Sequence, residues 1–333
     1  MSDCTITREY TRRGIDTVML ENSELEVEVL TGKGADITKL IDKRTNVNVL
    51  FEAPHEWHAP GDGHGAAPSD RSTFLDHYPG GWQTIIPGAG GAAEVASAKF
   101  GAHGESSIIP WSVQRIVDDD DAVSATLSTR LPRYPLEIRR TVSLEAESPT
   151  LTVDESVENI GEVPVEYQWL QHIVFGSPLV SPEAEIEVST DGGRTDAHQT
   201  ENARVPSDTA FEWPIVEGDD GPTNLTDLPA KSERVLEGAT LSSVDGCYSI
   251  KNYDIDLAAT VTYDPELFPS LWYWGTFGGY EHSPFFGREY ALGLEPCTSS
   301  VDGLEQAIEA GATDELQPGE CSSTALSVVL TRT

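Results

Sequence analysis

The chain has 333 residues, 38% of them hydrophobic and 23% charged, with a formal net charge of −35. That composition buries a large core, and the length is within reach of one all-β sandwich, so residues 1–333 are expected to form a single domain. The acidic excess excludes nucleic acid and anionic membrane as partners, and no apolar run nears the ~18 residues of a membrane-spanning helix.

The chain opens Met1-Ser2-Asp3-Cys4, with no basic start and no apolar h-region, so no secretory leader is expected. Lysine is confined to Lys33, Lys43, Lys99, Lys231 and Lys251. Few lysines beside a large acidic excess fit a cytoplasmic protein of a salt-loving organism, where salt screens self-repulsion and carboxylates keep the surface hydrated. Cys4, Cys247, Cys297 and Cys321 are scattered without a CxxC pair, which points to reduced thiols rather than a disulfide framework or a zinc site.

Residues 24–30 alternate strictly, with Leu25, Val27 and Val29 on one face and Glu24, Glu26 and Glu28 on a wet one, which predicts a strand. A second strand, Ile37 to Ile41, follows Gly32, Gly34 and Ala35. The same alternation recurs at Leu136 and Ile138, at Leu151, Val153 and Val157, at Ile186 and Val188, at Val261 and Tyr263, and at Leu326, Val328 and Leu330. Asp118 to Asp121 reads as a hairpin loop. The one helical fragment predicted, Val301 to Gly311, is short. Many short strands separated by Gly, Pro and Asp turns define an all-β class, a sandwich of antiparallel sheets with few short helices.

Residues 52–70 break the pattern. They are rich in His, Gly, Ala and Pro, with His55, His58, Asp62, His64 and Asp70 among them. The spacing of the histidines is too loose for a metal set, and the stretch reads as a polar lid over a pocket. Gly88 to Ala93 matches GxGxxA but follows Pro87 and opens no adequate helix, so it is not a dinucleotide loop.

Several residues could carry chemistry, and each has a structural alternative: the Trp and His residues as packed core, Glu295 as an edge residue whose head reaches solvent. Trp82-Gln83 offers an aromatic face for the C–H side of a pyranose and an amide for its hydroxyls. His103 sits between small residues in Gly101-Ala102-His103-Gly104-Glu105. His172 shares a strand face with Gln168 and Leu170. Trp272 and Trp274 share another, beside Gly275, Gly278 and Gly279. Tyr290 to Cys297 reads as a buried strand with Glu295 near its end and Pro296 as its stop. A carboxylate in such a run loses solvation, and its pKa rises.

Glu21-Asn22, Gly34-Ala35-Asp36-Ile37, Gly81-Trp82-Gln83, His103-Gly104-Glu105 before Pro110-Trp111, Gln171-His172, Trp272 to Gly279, Leu294-Glu295-Pro296-Cys297-Thr298 and Leu316-Gln317-Pro318-Gly319-Glu320 follow one another in order over nearly the whole chain. This ordered set resembles the aldose 1-epimerase (galactose mutarotase-like) family. The resemblance implies a β-supersandwich, with a sugar site on the concave face of the large sheet. It implies a catalytic pair at His172 and Glu295, and His103 as a second active-site histidine. The family's Asn-Arg pair before the first histidine is replaced here by Gly81-Trp82-Gln83, with Arg71 as a substitute for the Arg, and its substrate-binding Asp has no clear counterpart. The chain thus resembles a divergent branch.

Ring opening of an aldose needs an acid and a base but neither cofactor nor metal. The expected roles are Glu295 as base on the anomeric hydroxyl, His172 as acid at the ring oxygen, and His103 as a hydrogen-bonding partner of the ring oxygen or a nearby hydroxyl. Gln83, Trp82, Trp274, Glu105 and Arg71 would bind the sugar. The expected partner is a small-molecule sugar, and the expected state a monomer or homodimer. The net charge disfavours anionic sugars, although Arg71 or Arg288 could form a local basic patch. The alternatives are a non-catalytic sugar-binding protein, a lyase or hydrolase with Glu105 or Asp302 as second carboxyl, and a metal-dependent isomerase using His55, His58 and His64.

Overall fold

The structure, a computed structural model, describes residues 4–60, 72–219 and 221–333. Asp62, His64, Asp70 and Arg71 lie outside the described residues. Among the described residues, the strands form two large sheets, of 14 and eight strands, and two small two-stranded ones.

The eight-stranded sheet shows how alternation becomes a layer. Leu136–Glu145 and Thr150–Asn159 pair antiparallel, with Ile138 against Val157, Val142 against Val153 and Leu144 against Leu151. These side chains are buried, while those between them are half-buried or exposed. One face therefore packs on the larger sheet and the other meets water. The Asp118–Asp121 turn joins Ser112–Asp118 to Ala122–Arg130, as the sequence predicts. The predicted helical fragment is helical over Leu304–Ala310, stopped by Gly311 in the left-handed region (φ 64°).

The middle of the larger sheet is different. Its strands run in the order Asp36–Asp42, Trp82–Ile85, Leu170–Gly176, Tyr290–Cys297, Ser270–Phe277, Val235–Ser242. Every residue of Leu170–Gly176 is buried, as is every residue of Tyr290–Cys297 after Tyr290. Both faces are covered. Ile173, Phe175, Leu292 and Leu294 join the main core between the sheets. Leu170, Val174, Ala291 and Cys297 join a second cluster on the opposite face, with Phe74, Tyr78, Phe285, Trp272 and Trp274. Pro296 does not stop its strand: it pairs with Leu271, and Cys297 continues to Ser270 and Leu170.

The core also holds charge. Arg140 and Glu155 form a fully buried pair at 3.0 Å, and Glu155 accepts further hydrogen bonds from Thr84, Gln171 and Trp169 Nε1. Breaking such a pair from one side costs about 3–5 kcal/mol, because the other charge is left stranded. Lys33 and Asp36 form a second buried pair. The predicted wet face of residues 24–30 needs correction at Glu28, which is fully buried. Arg12 from the neighbouring hairpin closes over it, and Thr38 donates to it at 2.6 Å.

Candidate active site

Five neighbouring strands of the larger sheet place the site in one row. Gln83 pairs across to His172. The next ladder matches Leu170 with Cys297 and Val174 with Gly293, which sets His172 abreast of Glu295. Glu295 faces Trp272, and Trp272 faces Thr240. Because side chains alternate along a strand, Gln83, His172, Glu295, Trp272 and Trp274 all stand on the face turned away from the main core.

His172 and Glu295 meet at 3.6 Å, Nε2 to Oε1, too far for a hydrogen bond but close enough for one group to feel the other's charge. Gln83 fixes the imidazole. Its Nε2 donates to the carbonyl of Gly80 at 2.7 Å, which turns its Oε1 toward His172 Nδ1 at 3.1 Å. Nδ1 therefore carries the proton and donates, leaving Nε2 directed at Glu295. Glu295 has room to lie there because residue 293 is glycine; a Cβ at that position would collide with its carboxylate.

Burial sets the protonation of the pair. The Glu295 carboxyl is held well above its usual value, first by loss of solvent and then by the nearby Asp196. His172 is held well below the usual imidazole value, first by burial and then by His103. Each group is thus pushed toward its uncharged form.

A cavity of about 260 Å³ opens over the pair. Its walls are largely aromatic, with Phe74, Tyr78, Trp272, Trp274, Tyr280 and Phe285, and it is small enough to suit one pyranose-sized molecule. Trp272 is anchored by its indole N–H on the carbonyl of Ser299 at 2.8 Å. Tyr78 meets the His172 ring edge-on, with centroids 5.5 Å apart.

His103 joins them from its own loop. It sits in the left-handed region (φ 61°), unusual for a residue other than glycine, and exchanges hydrogen bonds with Gly90: its N–H to the Gly90 carbonyl at 2.9 Å, and the Gly90 N–H to its Nδ1 at 3.3 Å. An accepting Nδ1 places the ring proton on Nε2. The His103 and His172 rings lie 5.2 Å apart.

The remaining predicted residues divide. Trp274 lines the cavity. Trp82 does not: it is fully buried on the opposite face of its strand, under the Arg140 guanidinium and bonded to Gln171. Trp82 and Gln83 are successive residues of one strand, so only one of them can face the site. Glu105 is also away from the cavity, taken by the side chain and backbone N–H of Arg133 at 3.0 and 3.1 Å. Arg288 is no basic patch. Its guanidinium is spent on the carbonyls of Phe285, Pro54 and Pro284. Among the described residues no three His, Cys, Asp or Glu side chains converge as a metal site.

Asp196 escaped the sequence reading. It follows Gly192–Thr195, a short strand with no hydrophobic pattern, and reaches the cavity only because that strand pairs with Val235–Ser242, where Gly238 leaves space for its carboxylate. It opens to the cavity, yet its carboxyl is pushed up to about 6 by partial burial and then by Asp302. Asp302 stands at the cavity wall and accepts from the Gly91 N–H at 2.6 Å. Phe74 and Tyr78 carried no signal beyond being aromatic.

The fold is that of the galactose mutarotase-like β-sandwiches. A putative aldose 1-epimerase from Klebsiella pneumoniae superposes with a TM-score of 0.75 at 14% identity, covering 98% of this chain and 83% of its own. A putative mutarotase from Salmonella typhimurium gives 0.69 at 11% identity, over 99% and 94% of the two chains. A galactose mutarotase-like protein from Clostridium acetobutylicum gives 0.68 at 14%, over the whole of both chains. No curated protein matches the chain in sequence. By sequence the chain belongs to the family described as Domain of unknown function (DUF4432), whose model matches residues 12–330. No helix among the described residues is long and apolar enough to cross a membrane.

Proposed function

We propose that the protein is an aldose 1-epimerase, interconverting the α and β anomers of a sugar with Glu295 and His172 as the proton-transferring pair. The observation that carries this reading is the 3.6 Å approach of His172 Nε2 and Glu295 Oε1 on the floor of an aromatic-walled cavity, with the imidazole tautomer fixed by Gln83. The names of the structural neighbours point the same way.

The pair holds one proton. Burial favours the arrangement of neutral acid and neutral imidazole, and one transfer between the two side chains gives carboxylate and imidazolium, with no proton drawn from solvent. In that second form Glu295 takes the proton of the anomeric hydroxyl. The electron pair left on O1 forms the carbonyl, the bond from C1 to the ring oxygen breaks, and His172 gives its Nε2 proton to that oxygen. After rotation about C1–C2 the liberated hydroxyl attacks the other face of the aldehyde. It returns its proton to His172, and Glu295 returns the other to O1. Both groups finish as they began. His103, with its proton on Nε2, donates to the ring oxygen or a neighbouring hydroxyl. Trp272 and Trp274 stack on the C–H face of the pyranose.

The test follows anomeric proton signals by NMR after a pure α-anomer is dissolved with the protein. Equilibration faster than the spontaneous rate is expected. A sugar that binds but equilibrates at the spontaneous rate would leave a binding protein, and release of a free sugar from a glycoside would favour a hydrolase.

A further inference from the structure

The cavity holds acidic groups for which the described residues supply no cation. Elsewhere, buried carboxylates are matched internally. Asp36 has Lys33, Glu155 has Arg140 and Glu237 has Arg204. Glu289, which has no cation, is held by hydrogen bonds from Thr276 and the Tyr280 N–H. Glu295 has neither. It is only 3% exposed, makes no hydrogen bond among the described residues and is aimed into the cavity, with the imidazole of His172, itself held neutral by burial, beside it. Asp196 stands in the same cavity with no side-chain partner of its own, and Asp302 is near enough to raise its pKa. No lysine or arginine is among the described lining residues.

Asp196 and Asp302, lining one cavity with no described cation beside them, form an electrostatic well, deepened by the low dielectric of aromatic walls. Those walls are themselves suited to a cation, since the faces of tryptophan and tyrosine are electron-rich. A neutral sugar offers hydroxyl donors to such a site but leaves its charge uncompensated. A phosphate or carboxylate on the sugar would meet like charge.

We propose that the cavity selects its aldose by charge: an amino aldose binds with its protonated amine against Asp196 and Asp302, in preference to the neutral sugar, and phosphorylated or carboxylated sugars are rejected. The proposal rests on the aldose reading of the site. Asp196 and Asp302 are then specificity residues, while Glu295 and His172 handle the proton transfers.

Calorimetric titration of the full chain with glucosamine and galactosamine, with glucose and galactose, and with the two hexose 6-phosphates tests this. The amino sugars should bind about tenfold tighter than the neutral ones, the gain of one charge-assisted contact, and the phosphates weaker than both. Asp196→Asn and, separately, Asp302→Asn should reduce the amino-sugar preference to about threefold or less, with the fold checked by circular dichroism. If Asp196→Asn does not fold, Asp302→Asn and the wild-type ordering still decide the matter. Amino sugars that bind no better than neutral ones, phosphates that bind as well, or no binding by any of these probes would overturn the proposal. Failure of the epimerase reading looks different. Charge-ordered binding without faster anomer equilibration would remove the isomerase and keep the selectivity, whereas equal acceleration of all the sugars would do the reverse.

Discussion

At neutral pH a free glutamate is ionised and a free histidine is mostly neutral. In this site burial pushes the carboxyl up from 4.5 and the imidazole down from 6.5. The linkage to stability has a definite sign. Between its unfolded and folded values, Glu295 binds more proton in the native state, so its contribution to stability falls as pH rises above about 4.5. Glu295→Gln removes that penalty. Its Tm should exceed that of the wild type at pH 7, by roughly 2 °C for each kcal/mol relieved, and the advantage should shrink as pH falls toward 4.5. A variant less stable than wild type at pH 7 would contradict the burial argument. The same directions shape the rate. The one-proton pair gains a second proton only well below 6.5 and loses its proton only well above 4.5, so the acid limb of kcat should lie well below 6.5 and the basic limb well above 4.5. An acid limb centred near 6.5, read from kcat between about pH 4 and pH 10, would mean that His172 titrates as a solvent-exposed histidine.

At the scale of elements, the site is a consequence of register. The strands Leu170–Gly176 and Tyr290–Cys297 bring His172 and Glu295 abreast, and glycine at 293 gives the carboxylate its place. Gly293→Ala should leave the sheet intact but displace Glu295, lowering kcat about tenfold or more with little change in the circular dichroism spectrum, since an ångström of misplacement costs on the order of 10²-fold. Unchanged kcat would show that Glu295 does not need that position. These two strands were legible in the sequence, one as an apolar run ending near a carboxylate and both through the order of motifs. Which of two adjacent residues faces the site was not. Trp82 and Gln83 differ by one step of a period-two strand, and only the pairing with Ile37 on one side and Ile173 on the other settles the face. Asp196 was illegible for a related reason: its strand has no apolar pattern, and its place depends on pairing with residues more than 40 positions away. Glu105 looked like a site residue because it follows His103, but Arg133, 28 residues on, claims it.

For the whole molecule, charge is the dominant fact. A net charge of −35 is carried by a chain with 56 acidic and 21 basic residues, and several of the basic ones are already committed inside, among them Lys33 and Arg140. Self-repulsion of the surface should therefore be strong at low ionic strength. Raising KCl from about 0.1 M to 2 M shortens the screening length from ~10 Å to under ~3 Å and should raise Tm on the order of 10 °C. A flat or falling Tm over that range would argue against adaptation to a saline interior. The fold class was the most legible property at this scale, because alternation recurs along the chain and no helical period competes with it. The split of the large sheet's two faces into a packed core and a site was not, since both faces of its central strands are apolar.

The central claim is that Glu295 and His172 exchange protons with a bound aldose. It is tested most directly by the initial rate at which a pure α-anomer equilibrates at pH 7, with wild-type protein and Glu295→Gln at equal concentration and saturating sugar. The account predicts acceleration over the spontaneous rate by the wild type and a loss of about 10²–10⁴-fold in the variant, with sugar affinity little changed. A variant that equilibrates the sugar within about twofold of the wild-type rate would contradict it.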